Sequence, residues 1–199
     1  MSTWGSLDGL VKVLESNNRV VLLDRDGVLN IDRPGSVTSL AELELETGAR
    51  AGAGLLAAAG YRLLVVSNQA CVGRGQLDAA TLEAINAELD RRLGGVVAEF
   101  FVCPHAAEDG CDCRKPRTAL LERAQAAWGF KPADTWFVGD DGRDIEAAEQ
   151  FGCRPALLMT GKGPATRDHH PSVPVWDDLH AFARWLTEES GVSPISDAR

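Results

Sequence analysis

Residues Val20 to Asn30 read VVLLDRDGVLN, and this stretch decides the fold. Its first four residues are valine and leucine, which is typical of a strand buried on both faces of a parallel sheet. Two acidic residues, Asp24 and Asp26, follow the strand directly. Because ligands bind beyond the carboxyl ends of the strands in open α/β sheets, we expect this acidic turn to lie at a functional site.

The same alternation of apolar runs and helical patterns continues along the chain. Strands are predicted at Val20–Leu23, Arg62–Val66, Val96–Val102, Thr135–Val138 and Ala156–Met159. Helices are predicted at Ala49–Ala59, Asp78–Leu93, Thr118–Trp128 and Asp144–Phe151. Strands that alternate with helices indicate an α/β fold built on a doubly wound parallel sheet.

The flanks add less to the prediction. An amphipathic helix is predicted at Leu7–Leu14 and a closing helix at Asp177–Glu189, while the polar tail of residues 190–199 is expected to fray. A chain of 199 residues fits one domain, so residues 1–199 are assigned to a single unit with a core at about 19–189.

Charge and hydropathy exclude several functions. The net charge is −9, from 20 basic and 29 acidic side chains, and such a surface repels nucleic acids. The sequence contains no apolar run near the roughly 20 residues of a membrane span. Secretion is not expected, because the first residues do not combine a basic stretch with an apolar core and a small-residue cleavage site. We therefore expect a cytoplasmic protein without nucleic-acid or membrane partners, and favour a monomer.

The acidic turn has two interpretations. Asp24 and Asp26 raise each other's pKa unless something stabilises their charges, and Mg²⁺, which takes oxygen ligands, would do so. One carboxylate could then attack phosphorus while the other exchanges a proton with the leaving oxygen and with water. The alternative is a solvated turn. A calcium loop of twelve residues is disfavoured because Gly35, not glutamate, would close it.

Three later features favour the catalytic interpretation. The second strand leads into Ser67-Asn68-Gln69, Lys115 follows Arg114, and the fourth strand leads into Gly139-Asp140-Asp141-Gly142-Arg143-Asp144. Each has an ordinary alternative: a helix cap, a solvated charge, or carboxylates that complement a helix dipole. Their succession at strand ends instead predicts one site with phosphate donors, an ammonium group and further metal ligands.

A dense cluster of sulfur and imidazole side chains precedes Lys115. Its members are Cys103, His105, Cys111 and Cys113. Three thiolates and one imidazole suit a closed tetrahedral structural Zn²⁺ site, whereas the alternative is unpaired thiols beside a chance histidine. The two remaining cysteines, Cys71 and Cys153, are expected to pack as small apolar groups.

From Val20 to Thr160 the motifs resemble those of haloacid dehalogenase (HAD) superfamily phosphatases. The resemblance implies that Asp24 is the nucleophile, Asp26 the general acid/base, Ser67 a phosphate ligand and Lys115 the conserved lysine. It implies a magnesium site at Asp24, the backbone carbonyl of Asp26 and Asp140, with Asp141 acting through water. Asp26 would then need a raised pKa in the substrate-loaded site.

The zinc loop before Arg-Lys-Pro resembles a subgroup of these phosphatases that lacks a large cap domain. Its members remove the 7-phosphate of a heptose 1,7-bisphosphate, as in lipopolysaccharide biosynthesis, or dephosphorylate histidinol phosphate. Asn68, Arg74 and Arg114 are candidate substrate ligands, and the arginines could bind a second phosphate. Asp141 departs from the basic residue expected at its position. A zinc-stabilised binding protein without catalysis is the third alternative.

Overall fold

The computed structural model describes residues 19–189, so the predicted helix at Leu7–Leu14 and the tail at 190–199 lie outside the described residues. Six parallel strands form one sheet in the order β3-β2-β1-β4-β5-β6. They are β1 (Val20–Leu23), β2 (Arg62–Asn68), β3 (Val97–Cys103), β4 (Trp136–Gly139), β5 (Arg154–Leu158) and β6 (Val175–Trp176). The predicted doubly wound α/β fold is confirmed, and no inserted cap domain interrupts residues 19–189.

Seven α-helices connect or follow the strands in the described part of the chain. They are α1 (Ala49–Ala58), α2 (Ala70–Gly73), α3 (Ala79–Leu93), α4 (Ala119–Trp128), α5 (Gly142–Phe151), α6 (Gly163–His169) and α7 (Leu179–Glu189). Two short 3₁₀ turns, Ala107–Asp109 and Pro132–Asp134, lie in the connections on either side of α4.

The central strand is buried on both faces because its side chains alternate between two layers of helices. Val21 and Leu23 pack with α1, α3 and α7, whereas Val20 and Leu22 pack with α4 and α5. All four side chains are at most 3% exposed. The apolar run therefore packs against helices on both faces of the sheet, as expected for a strand in its middle.

Three short elements were not predicted. Strand β6 has only two residues, helix α2 has four, and helix α6 begins Gly-Pro and buries only Gly163 and Thr166. Segments this short do not carry a readable hydrophobic period. Helix α5 also begins at Gly142 rather than at Asp144, because Asp141 caps it by accepting a hydrogen bond from Arg143 N.

The parallel arrangement brings the carboxyl ends of the strands to one edge. Asp24 N donates to Val138 O at 2.9 Å, so the residue after β1 is held beside the end of β4. Ser67 and Asn68 end β2, Cys103 ends β3, and Asp140 follows β4. Predicted functional side chains from four strand ends thus meet at one edge of the sheet.

Candidate active site and zinc loop

Three carboxylates converge at the centre of this edge. Asp24 follows β1, Asp140 follows β4, and Asp144 lies in the first turn of α5. One carboxylate oxygen from each lies within 4.8 Å of the other two. Asp24 is 9% exposed and the other two are 1% exposed. Like charges this close and this buried are unfavourable unless cations or protons neutralise them.

Lys115 supplies one buried positive charge to this cluster. Its Nζ lies 2.9 Å from Asp24 Oδ1 and 2.6 Å from Asp144 Oδ1, and it donates to Val66 O at 2.7 Å. Burial alone would lower the pKa of Lys115, but the charges of Asp144 and Asp24 raise it above its ordinary value. The ammonium group therefore stays charged, yet one positive charge cannot balance three carboxylates.

The excess negative charge of the cluster raises the pKa values of two of its carboxyl groups. Burial and the charge of Asp144 raise the pKa of Asp24, although Lys115 acts against them. Burial and the charges of Asp24 and Asp144 raise the pKa of Asp140 in the same way. A hard divalent cation would stabilise the ionised carboxylates, and Mg²⁺ prefers such oxygen donors.

Two glycines allow Asp140 to reach this position. Gly27 and Gly161 have positive φ angles of 87° and 51°, and a side-chain carbon on either would collide with the Asp140 carboxylate. The loop after β5 is tied to the acidic turn, because Thr160 Oγ1 donates to Gly27 O at 2.6 Å. Lys162 N also donates to Asp140 Oδ2 at 2.7 Å. These contacts fix the Asp140 carboxylate from two loops.

Asp26 lies beside the cluster but is held by its own set of donors. Its Oδ1 accepts from Arg25 Nη2 at 3.0 Å and from Asn30 Nδ2 at 2.9 Å, and its Oδ2 accepts from Gln69 Nε2 at 2.6 Å. Burial would raise its pKa, but the charge and hydrogen bond of Arg25 hold it below the ordinary value. In the free protein Asp26 is therefore ionised, and the raised pKa expected in the substrate-loaded site stays a prediction.

The two polar residues at the end of β2 have different hydrogen-bond partners. Ser67 is 1% exposed, and its Oγ accepts from Gln69 Nε2 at 2.8 Å. Asn68 pairs reciprocally with the backbone of Lys115, donating to its carbonyl at 3.1 Å and accepting from its N–H at 3.0 Å. Asn68 thus positions the lysine, whereas its predicted contact with substrate stays a prediction.

Asp144, not Asp141, completes the carboxylate cluster. The Asp141 side chain is turned toward Arg143 Nη2 at 2.6 Å and Lys162 Nζ at 3.4 Å, and these partners lower its pKa against the effect of burial. Asp141 and Asp144 form a capping box: the Asp141 side chain accepts from the backbone N–H of Asp144, and the Asp144 side chain accepts from the backbone N–H of Asp141. The spacing Asp-x-x-Asp at the start of a helix is the sequence signal that could have identified Asp141 as the helix cap and Asp144 as its capping-box partner.

A pocket of about 150 Å³ opens above the cluster. Its walls contain eight of the predicted site residues: Asp24, Asp26, Ser67, Asn68, Arg74, Arg114, Lys115 and Asp141. The pocket is also lined by Asp144, which the sequence offered only as one of three carboxylates after β4, and by Asp32, Ser36, Arg143 and Lys162, which were given no individual role. A larger groove of about 620 Å³ lies between α3 and β3 and contains none of the predicted site residues.

The sulfur and imidazole side chains form a compact cluster beside this pocket. Cys113 Sγ lies 3.3 Å from Cys103 Sγ, 3.6 Å from Cys111 Sγ and 3.2 Å from His105 Nδ1. The ligand atoms of all four residues lie within 4.8 Å of one another. A tetrahedral Zn²⁺ site with bonds of about 2.0–2.3 Å has ligand separations of about 3.5–3.8 Å, so the donor set fits zinc.

The cluster connects β2, β3 and the Lys115 segment. Cys103 ends β3, and its carbonyl accepts from Gln69 N at 2.7 Å, while Pro104 O accepts from Gly73 N at 2.7 Å. Cys113 is two residues before Lys115. A bound zinc ion would therefore hold the lysine segment against the residues that follow β2.

Replacing Cys113 with serine is expected to remove zinc and to lower kcat by at least about tenfold, because ligand loss releases the Lys115 segment. Elemental analysis should find about one zinc per chain in the parent protein and much less in the variant. Cys153→Ala is the matched control, since Cys153 is also a buried free cysteine but lies outside the cluster. A folded, fully active parent protein without zinc would contradict the assignment.

Comparisons with known proteins agree with this geometry. The HAD-hydrolase-like family model matches residues 112–182. D-glycero-beta-D-manno-heptose-1,7-bisphosphate 7-phosphatase of Pseudomonas putida is 38% identical over 175 residues, which cover 84% of this chain and 99% of that protein. The histidine biosynthesis bifunctional protein HisB of Legionella pneumophila is 34% identical over 139 residues, covering 67% of this chain but only 39% of HisB.

A solved structure is similar over most of this chain. The crystal structure of D,D-heptose 1,7-bisphosphate phosphatase from B. bronchiseptica, complexed with magnesium and phosphate, superposes with a TM-score of 0.82. It is 35% identical and covers 86% of this chain and 99% of its own. Within residues 19–189, every helix is too short or too polar to cross a bilayer.

Proposed function

This chain belongs to the family of HAD-like hydrolases that contains the D-glycero-beta-D-manno-heptose-1,7-bisphosphate 7-phosphatases, and on that basis we propose that it removes the 7-phosphate of a heptose 1,7-bisphosphate. The observation that carries the proposal is the buried cluster of Asp24, Asp140 and Asp144 with Lys115 among them. Such a cluster fits a magnesium-dependent phosphatase with a carboxylate nucleophile. The cytoplasmic location and monomeric state stay predictions.

Magnesium would be held by Asp24, Asp140 and the backbone carbonyl of Asp26, with Asp144 close by. When bound, it neutralises the carboxylates and the negative charge of the phosphoryl group. Lys115 places a second positive charge against Asp24, and Ser67 lines the same pocket. The chain's own residues thus orient a phosphate group against Asp24.

The proposed reaction has two displacements. In the first, a carboxylate oxygen of Asp24 forms a bond to phosphorus, the bond from phosphorus to the sugar oxygen breaks, and protonated Asp26 gives its proton to that oxygen. In the second, Asp26 takes a proton from water as the water oxygen bonds to phosphorus, and the bond to Asp24 breaks. Inorganic phosphate leaves, and both aspartates return to their starting states.

Arg114 provides the main support for a second phosphate group on the substrate. Its Nη1 is buried and has no hydrogen-bond partner among the described residues, although Arg114 lines the pocket. A buried guanidinium donor without an acceptor is unfavourable, and a phosphate oxygen would satisfy it. Arg74 lines the same pocket, and Arg143 and Lys162 add further positive charges whose present partners include Asp141.

Substrate comparison tests this proposal. We expect kcat/KM for heptose 1,7-bisphosphate to exceed that for heptose 7-phosphate and for histidinol phosphate by at least about tenfold, or about 1.4 kcal/mol. Arg114→Met should remove most of this preference while changing the reaction of the monophosphates little, because they lack the second phosphate. A tenfold preference for histidinol phosphate would reverse the ranking of the two substrates. The similarity to the histidine biosynthesis bifunctional protein HisB covers only 39% of that protein and does not enter this ranking.

A further inference from the structure

Arg25 lies between the two aspartates of the acidic turn and is completely buried. Leu23, two residues earlier at the end of β1, packs on the side of the sheet that carries α3. The Arg25 side chain extends to the same side and reaches Asn86 on α3. A buried guanidinium group costs several kcal/mol unless charges and hydrogen bonds compensate it, so each of its contacts matters.

The guanidinium group bridges a helix and the proposed general acid/base. Arg25 Nη1 donates to Asn86 Oδ1 at 3.1 Å, and Nη2 donates to Asp26 Oδ1 at 3.0 Å. Among the described residues, Asp26 is the only carboxylate in an ion pair with Arg25. The planar group therefore has one nitrogen fixed by α3 and another fixed on Asp26.

The helix end of this bridge is buried. Asn86 is 7% exposed, and its neighbour Ile85 is completely buried in the same core as β1. The position of Asn86 is thus set by core packing, and Asn30, which also binds Asp26, is completely buried in the loop after β1. Through Arg25, the packed helix α3 can fix the direction in which the Asp26 carboxylate points.

We propose that Arg25 and Asn86 are positioning residues that hold Asp26 in the orientation needed to protonate the leaving oxygen. The inference rests on the proposed function, because it assigns a partner to the general acid of that reaction. Without Asn86, the Nη1 donor loses its acceptor, so α3 no longer fixes the guanidinium group and the Asp26 carboxylate keeps fixed donors only in Asn30 and Gln69. A shift of Asp26 away from the leaving oxygen then slows proton transfer, because general-acid catalysis is sensitive to geometry.

Asn86→Ala is a suitable test because Asn86 also borders the groove of about 620 Å³ between α3 and β3. Truncation there opens toward this groove instead of creating a sealed apolar cavity, so we expect the variant to fold. Arg25→Lys provides a second variant, since an ammonium group keeps the charge but cannot bridge both partners in one plane.

The measurement compares two leaving groups by kcat/KM, which reports the first phosphoryl transfer. A sugar or alkyl phosphate needs a proton on its leaving oxygen, whereas 4-nitrophenolate leaves without one. General acids contribute about 10²–10⁴-fold, so partial misplacement should lower kcat/KM for the alkyl ester by about tenfold or more. For 4-nitrophenyl phosphate we expect less than about a threefold loss in Asn86→Ala.

Two controls separate the possible failures. Leu82→Ala truncates another buried α3 residue that borders the same groove. It should lower stability without changing the ratio of kcat/KM between the two substrates. Asp26→Asn removes the proposed acid itself and should show the largest difference between the substrates. If Asp26→Asn lacks this difference, the proposed reaction fails. The positioning role of Arg25 and Asn86 is refuted if Asp26→Asn shows the difference but Asn86→Ala does not. In that case Asn86→Ala lowers kcat/KM equally for both substrates, or for neither.

Discussion

Asp24→Asn is expected to abolish phosphatase activity, lowering kcat by at least about 10⁴-fold, while the fold and the zinc content stay unchanged. Asparagine has the size of aspartate, and its oxygen can still accept from Arg25 N and Lys115 Nζ, which bind Asp24 Oδ1 at 2.6 and 2.9 Å. An amide, however, cannot attack phosphorus as a carboxylate does. Steady-state assays with the preferred substrate, together with elemental analysis, measure both parts of this expectation.

The stability of Asp24→Asn gives a second readout. Because burial and Asp144 raise the pKa of Asp24 in the folded state, its charge destabilises the metal-free protein at neutral pH. Removing that charge should leave the unfolding temperature equal to or above that of the parent without magnesium. Asp134→Asn is the matched control, since this exposed residue pairs only weakly with Arg154 at 3.9 Å and should retain full activity. Retained turnover in Asp24→Asn would contradict the nucleophile assignment.

Lys115→Met is expected to lower kcat/KM by about 10³-fold or more and also to destabilise the fold. Loss of a preorganised positive charge at a phosphoryl group removes transition-state stabilisation. The substitution also leaves Asp24 and Asp144 buried without their shared cation, and breaking a buried pair in this way costs about 3–5 kcal/mol. The pKa of Lys115 is raised in the folded state, so its stabilising effect is present throughout neutral pH and is lost only at alkaline pH.

A double variant separates the two effects of Lys115→Met. Adding Asp144→Asn removes one of the stranded carboxylates, so part of the lost stability should return while activity stays low. Chemical denaturation measures the first quantity and kcat/KM the second. If the double variant recovers activity as well, the lysine acts only by balancing Asp144 and has no direct role at the phosphoryl group.

The sequence was most informative where the chain is buried and regular. The apolar run before Asp24 predicted the central strand because both of its faces are covered by helices. Parallel strands then required Asp24, Ser67 and Asp140 to meet at one edge, and the structure confirms that arrangement of the fold. The chemical roles of these residues stay predictions until the variants are measured.

The parts that escaped prediction depend on side-chain direction and on distant contacts. Asp141 and Asp144 occur in one acidic run, and only the start of α5 decides which of them faces Lys115. The partnership of Arg25 with Asn86 joins residues 61 positions apart and has no local signature. Sequence periodicity shows which face of an element is apolar, but not which polar side chains meet across the core.

The shared metal site is tested most directly by a crystal structure of the protein with Mg²⁺ and beryllium fluoride, which imitates a phosphoryl group on a carboxylate. We expect beryllium fluoride on Asp24, with one magnesium ion ligated by both Asp24 and Asp140 and with Lys115 contacting the fluoride atoms. An ion bound away from these two aspartates, or beryllium fluoride attached to another residue, would contradict the proposal that strand-end carboxylates form one metal-dependent phosphatase site.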